Sequence, residues 1–246
     1  MKPETVESPE NAKSAPLHGM FDAIPRRYDL INKVITWGLD RRWRREAARA
    51  CVATAPRRVL DLCCGTGDLT IAMVKAAKSY TSITGLDYSA TMLEIARRKV
   101  SALFGASRVT FQQAEAASLP FVDEYFDTVG ISFAFRNLTY KNPVARFHIA
   151  EIFRVLAPGG RCVIVESSQP ESKITRWLFH VYLKGFVRPV GSWLSGNSSA
   201  YRYLSESVAR YYTPDEVRDL LKASGFREVT YHPLLFGAAG IYVAVK

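Results

Sequence analysis

Ten residues, Val59-Leu60-Asp61-Leu62-Cys63-Cys64-Gly65-Thr66-Gly67-Asp68, carry the first chemical signal. An apolar run, Arg58–Leu62, ends in two glycines and a helical stretch starts at Asp68, so this is a strand handing over to a helix. Gly65 and Gly67 admit positive φ and let a ligand approach the backbone closely. A dinucleotide fingerprint would set a third glycine three residues after Gly67, but Thr70 stands there. Asp61, inside the strand, would repel a pyrophosphate and suits a ligand carrying an amine and a positive charge. S-adenosylmethionine is such a ligand, with a sulfonium, an ammonium and no phosphate. Asp87 closes the second apolar run, where a carboxylate accepts both ribose hydroxyls. Glu115 follows the third run and would reach the adenine side. Ligands in open α/β sheets bind at the carboxyl ends of strands, which is where these residues fall.

The elements that must hold them alternate. After two helices over residues 21–53, strands are expected at Arg58–Leu62, Ser82–Leu86, Val109–Gln112, Phe126–Phe133 and Arg161–Glu166. Helices are expected at Asp68–Lys78, from an N-cap at Ser89 to Phe104, and at Pro143–Leu156. Pro158-Gly159-Gly160 reads as a turn into the fifth strand. Residues 171–212 interrupt the alternation. A helix at Pro214–Ala223 and strands near Arg227–Tyr231 and Ile241–Val245 follow. Strands alternating with helices predict a mostly parallel sheet covered on both faces.

Composition narrows the class. The 246 residues are 48% apolar and 23% charged, which excludes a wholly disordered chain. The sequence holds no run of 18 apolar residues, so no membrane-spanning helix is expected. Cys51, Cys63, Cys64 and Cys162 form no Cys-x-x-Cys pair; neither a zinc site nor a disulfide framework is expected, and a reducing, cytoplasmic compartment fits. The first 17 residues carry Glu4, Glu7 and Glu10 and read as a polar, disordered tail, not a targeting segment. The net charge is +10, and residues 26–58 hold ten basic residues against three acidic ones. Such a cluster suits an anionic partner, nucleic acid or membrane head groups, although each arginine taken singly reads as part of a solvated helix face.

Residues Val59–Asp68 resemble motif I of class I S-adenosylmethionine-dependent methyltransferases. Four further stretches resemble one branch, the ubiquinone/menaquinone-biosynthesis C-methyltransferases: Phe21-Asp22-Ala23-Ile24 with Arg27-Tyr28-Asp29; Gly38-Leu39-Asp40-Arg41-Arg42-Trp43-Arg44; Ile131-Ser132-Phe133-Ala134-Phe135-Arg136-Asn137; and Ser199-Ala200-Tyr201-Arg202-Tyr203-Leu204-Ser205-Glu206-Ser207. The likeness runs from Phe21 to Lys246. It implies a Rossmann-like α/β fold with a mostly parallel seven-stranded sheet, helices on both faces and an α-helical insertion over the site. The implied organisation is a tail over 1–17 and one methyltransferase domain over 18–246. Within it, 18–55 form N-terminal helices and 171–212 a substrate-side lid. The family's cofactor contacts would fall on Thr66, Asp87, Glu115, Ala116 and Ser132; Glu115 stands where the family usually has Asp or Asn.

The resemblance also implies a reaction, methyl transfer to a ring carbon of a hydroquinone with an isoprenoid tail, such as demethylmenaquinol or a polyprenyl methoxy-benzoquinol. The ring carbon is a poor nucleophile until the adjacent hydroxyl ionises. Arg136 would stabilise the phenolate, Asn137 would orient a hydroxyl or a water, and Tyr201 and Tyr203 would touch the ring. No residue reads as an obvious base, and His148 reads as a surface histidine. In Lys173–Leu194, Ile174, Trp177, Leu178, Val181 and Tyr182 share a helical stripe interspersed with basic residues. This is either a membrane-interface helix or a lid packed on the core. A prenylated hydroquinone and an anionic membrane are the expected partners, with homodimerisation left open. Two other readings remain: a nucleic-acid-binding protein, which the charge suggests but no RNA-module signature supports, and a methyltransferase for another lipid-like ring such as a tocopherol precursor.

Overall fold

A computed structural model describes residues 25–105 and 109–246 of the chain. The expected tail and the Phe21-Asp22-Ala23-Ile24 stretch lie outside the described residues. Two helices, α1 (Pro25–Ile35) and α2 (Leu39–Val52), precede the alternation β1 (Arg58–Leu62), α3 (Asp68–Ala76), β2 (Ser82–Asp87), α4 (Ala90–Phe104), β3 (Val109–Gln113) and β4 (Phe126–Ser132). Then come α5 (Phe135–Thr139), α6 (Ala145–Val155) and β5 (Leu156–Ser167). The insertion holds α7 (Lys173–Tyr182), a π-helical turn at Leu183–Val187, α8 (Arg188–Ser195) and α9 (Ser198–Ala209). The chain closes with α10 (Pro214–Ala223), β6 (Glu228–Leu234), a 3₁₀ turn and β7 (Ala239–Val245).

The strands form one seven-stranded sheet in the order β3-β2-β1-β4-β5-β7-β6. All pairings are parallel except those of β7, which runs antiparallel between β5 and β6. Because both faces are covered, the central strands are nearly continuous apolar runs. Alternate residues serve opposite layers. Leu60 and Leu62 pack with Ile149 and Ile152 of α6 and Val217 of α10, while Val59 packs with Trp43 and Ala47 of α2 and Met73 of α3. Each such buried side chain contributes roughly 1.5–3 kcal/mol. A third cluster joins Ile31 and Ile35 of α1 to Leu183, Val187, Ala200 and Tyr201. It fixes the insertion against the N-terminal helices, above the sheet's site. Gly191 of α8 is needed there, because a Cβ would stand 2.1 Å from the Tyr201 ring.

From β1 the chain winds toward β2 and β3; β4 starts the other half, on the opposite side of β1. The crevice between the β1 and β4 carboxyl ends is therefore the topological switch point. Two non-glycine residues take positive φ there, Cys63 (φ 56) and Phe133 (φ 55). Strained backbone of this kind clusters where a site must present a side chain in one direction. Phe133, expected to end the fourth strand, instead turns out of it for this reason. The Pro158-Gly159-Gly160 turn is absorbed into β5 as an irregularity, where pairing jumps from Phe126↔Leu156 to Thr128↔Arg161.

Candidate active site

Two adjoining cavities open at the carboxyl ends of the strands. The smaller, of about 120 Å³, is lined by Cys63, Gly65, Asp87, Met92, Glu115, Ala116, Ser132, Leu138 and His148, among others. The larger, of about 530 Å³, lies under the insertion between α1, α2 and α7–α9. Phe133 and Asn137 line both, so they form the wall through which the cavities meet.

The smaller cavity brings together five of the eight residues expected to hold a cofactor: Gly65, Asp87, Glu115, Ala116 and Ser132. Asp87 is buried; its Oδ2 accepts from the Gly65 amide at 2.8 Å and its Oδ1 from the Ser89 amide at 2.9 Å. Ser89 caps α4 as expected, accepting from the Met92 amide. Gly65 has φ +52 and nothing within 4 Å of where a Cβ would stand, so the turn leaves room for a ligand.

The other three lie behind this surface. Thr66 donates to Asp29 at 2.6 Å, and Lys99 binds both Asp29 and Asp68, so the glycine turn is tied to α1. Gly67 packs against Ala96. Asp61 is fully buried and accepts from Thr70 at 2.5 Å, while its Oδ1 has no partner. Burial pushes its carboxyl up to about 7 against the Thr70 bond.

The donor set suits S-adenosylmethionine. A buried carboxylate stands where a ribose diol needs an acceptor, apolar walls from Leu86, Met92 and Leu138 suit an adenine, and neither lysine nor arginine is among the lining residues. A phosphate-bearing ligand would want the reverse.

His148 corrects an expectation. It is buried and lines this cavity. Its Nδ1 lies 2.8 Å from the Leu138 carbonyl, which can only accept, so Nδ1 carries the hydrogen and Nε2 is left as an acceptor. Burial holds its pKa below the ordinary value. No sequence signal distinguishes it, since the contact depends on the turn of α5 bringing Leu138 to α6.

All four residues expected to act on substrate, Arg136, Asn137, Tyr201 and Tyr203, line the larger cavity. Its walls are otherwise mostly apolar, from Ile35, Trp43, Leu178, Phe179, Leu183, Val187 and others. Arg136 is buried, donates from Nη1 to Ser207 at 2.5 Å and keeps a buried Nε without a partner. Asn137 Oδ1 is likewise buried without a partner. Both orphaned polar atoms belong to residues that line the larger cavity, beside the wall between the two.

Sequence reasoning missed Asp40 and Arg44. Both line the larger cavity, buried against each other in an ion pair. Arg44 Nε also donates to Ser132 at 3.0 Å, and the guanidinium lies over the Phe133 ring. It is thus no part of a solvated helix face, the reading that each arginine of the basic cluster invites singly. The i,i+4 spacing of Asp40 and Arg44 was legible, but the contact with Ser132 was not. Glu166, at the end of β5, also lines this cavity.

Comparison with known proteins follows the same line. The ubiE/COQ5 methyltransferase family matches residues 9–246. A demethylmenaquinone methyltransferase of Thermus thermophilus is 41% identical over 91% of this chain and 98% of its own length. A ubiquinone/menaquinone biosynthesis C-methyltransferase of Geotalea daltonii is 36% identical over 95% of this chain and 97% of its own. Among solved structures, an O-methyltransferase family protein from Burkholderia thailandensis superposes with a TM-score of 0.64 at 13% identity, covering 89% of this chain and 59% of that one. That last likeness speaks to the fold.

Proposed function

Because the chain belongs to the ubiE/COQ5 methyltransferase family, we propose that its larger cavity takes a prenylated hydroquinone and that a ring carbon is methylated there. The chain is an S-adenosylmethionine-dependent methyltransferase of class I fold. The observation that carries the substrate reading is the shared wall of Phe133 and Asn137. It separates a small, carboxylate-lined cavity from a large, mostly apolar one whose lining also includes Arg136, Asn137, Asp40 and Glu166. Such a cavity suits a ligand with a polar ring and a long apolar tail.

When bound, S-adenosylmethionine supplies an electrophilic methyl group on a sulfonium. Asp87 would accept the ribose hydroxyls, Gly65 would give backbone room, and Glu115 with Ala116 would face the adenine. Thr66, Gly67 and Asp61 hold the turn from behind, and Ser132 carries the Arg44 bond at the edge of the cavity. On the substrate side Arg136 places a permanent positive charge beside the ring oxygen, favouring its ionised form as the carbon becomes nucleophilic. Asn137 orients the ring across the wall, and Tyr201 and Tyr203 pack along it. Holding the two reactants at attack distance alone lowers the barrier by up to ~7–11 kcal/mol.

The same reading places the protein at the cytoplasmic face of a membrane. On α7, Ile174, Trp177, Leu178 and Val181 are exposed, while Tyr182 packs against the third cluster and donates to the Ile35 carbonyl, so four of the five stripe residues face outward. Leu178 also lines the larger cavity, as do the exposed Trp37, Leu235 and Phe236. An apolar rim around an apolar cavity, flanked by Lys173, Arg176, Lys184 and Arg188, fits entry of a tail from an anionic bilayer. Among the described residues no helix is long and apolar enough to cross a membrane. We read residues 18–246 as one methyltransferase domain, with 171–212 as its lid. The test is methyl transfer from S-adenosylmethionine to a reduced, prenylated quinol by the purified chain.

A further inference from the structure

Methylating a hydroquinone carbon requires a proton acceptor for the adjacent hydroxyl, and Arg136 cannot be one because it stays protonated. Two carboxylates line the larger cavity, Asp40 and Glu166. Asp40 is neutralised by an ion pair: Oδ2 holds the Arg44 guanidinium, and Oδ1 accepts from the Thr36 hydroxyl. Glu166 is held differently. Its Oε2 accepts from the Arg136 backbone amide at 3.0 Å and its Oε1 from the Ser167 amide at 2.8 Å. The Ser167 hydroxyl bonds the carboxylate as well; of its roughly four lone-pair sites one is left for an incoming hydroxyl. The two amides fix the carboxylate's orientation without neutralising it.

We propose that Glu166 is the general base that takes the proton from the ring hydroxyl. This rests on the quinol reading of the larger cavity. The same short segment that carries Arg136 and Asn137 anchors Glu166 through its backbone, so base, cation and ring-orienting amide are one constellation at the β4 and β5 carboxyl ends. The charged and titratable groups around Glu166 are Arg136 from α5, Tyr211 beyond α9 and Tyr242 from β7. Asp40 and Arg44 of α2 and Tyr201 and Tyr203 of α9 line the cavity it faces. Burial raises the Glu166 carboxyl above its ordinary value, against the pull of Arg136, which brings its basicity closer to that of a phenol.

The protons balance as follows. The hydroxyl proton passes to Glu166 and leaves a phenolate beside Arg136. The ring carbon forms a bond to the methyl group as the carbon–sulfur bond breaks and its electron pair stays on sulfur. The methylated carbon then loses its own hydrogen as a proton to water, and Glu166 returns its proton to the ring oxygen. One proton is released for each methyl transferred.

The experiment measures kcat/KM against pH, anaerobically, for the wild type and Glu166→Gln with a reduced prenylated quinol. Melting temperature and S-adenosylmethionine affinity are measured alongside. We expect Glu166→Gln to lose roughly 10²–10⁴-fold at neutral pH while still binding the cofactor. Its residual rate should climb about tenfold per pH unit toward the phenol's own ionisation near pH ~10, where the wild type has already levelled off. A folded Gln variant with wild-type turnover, or with a reduced rate but the wild-type plateau, overturns the assignment. If the variant does not fold, the wild-type profile decides. A plateau reached through one ionisation above the ordinary carboxylate range supports Glu166, and a rate still climbing to the phenol's ionisation overturns it. A wild type inert on the quinol overturns the substrate reading itself, and with it this base.

Discussion

Asp87 supports the backbone it shares a cavity with: its carboxylate accepts the Gly65 amide at 2.8 Å, so the ribose acceptor and the glycine turn are one unit. The arrangement spans 22 residues of sequence and joins the ends of β1 and β2. Asp87→Ala should therefore weaken S-adenosylmethionine binding by roughly 1.5–3 kcal/mol through the lost charged acceptor. It should also lower the melting temperature, because the Gly65 and Ser89 amides lose a partner. Calorimetry and thermal unfolding on one preparation check both. Unchanged affinity would remove Asp87 from the cofactor site.

Arg136 should act mainly on the reaction. Arg136→Gln is expected to lower kcat on the quinol by about 10²-fold or more, with S-adenosylmethionine affinity nearly intact. Lysine should restore only part of the rate, since a point charge cannot replace the planar fork. The Ser207 bond also ties Arg136 to α9, so some thermal stability will go with it. Activity falling only in step with the folded fraction would make Arg136 a structural residue.

His148 gives a pH signature of stability. Its folded pKa lies below the ordinary value, so the unfolded chain takes up the proton first as pH falls. Its contribution is present above the ordinary histidine value and is lost as pH falls through the folded one. Asp61 and Glu166 act in the opposite sense: their raised carboxyls favour the fold at low pH and lose that advantage as pH rises. Comparing melting temperatures of wild type and His148→Gln from pH 7 to pH 5 cancels the carboxyl effects. The wild type should lose more stability than the variant; parallel curves would contradict the assignment.

The exposed stripe of α7 predicts binding to anionic vesicles. Each basic residue at the surface contributes about 1 kcal/mol, screened by salt, and the apolar ring adds a part that salt does not remove. In sedimentation assays Trp177→Ser should release protein at high salt, where charge is already screened. Equal recovery of wild type from anionic and neutral vesicles at low salt would leave the basic residues without this role.

Legibility in the sequence followed locality. The glycine turn, Asp87 and the Ser89 cap are written in contiguous spacing, and the sheet follows from the alternation of apolar runs. Arg136 and Asn137 were reachable through the resemblance. Glu166 ends a buried strand, and the sequence allows Arg136 to be tied to it; that the tie runs through the Arg136 backbone amide is what no side-chain pattern reveals. His148 sits at an apolar helix position, and the carbonyl it meets belongs to a five-residue helix too short to announce itself by periodicity. Arg44 was hidden by abundance, one arginine among ten basic residues, distinguished by contacts with Ser132 and Phe133 far along the chain.

The two cavities together bring a cofactor's methyl group to the ring carbon of a prenylated quinol. Mass spectrometry of the quinol recovered after incubation with S-adenosylmethionine and the purified protein, under reducing conditions, tests it most directly. A ring-methylated product is expected, formed only from the reduced quinol and about 10²-fold or more slowly by Arg136→Gln. A protein that binds S-adenosylmethionine yet leaves both demethylmenaquinol and polyprenyl methoxy-benzoquinol unmodified would contradict it.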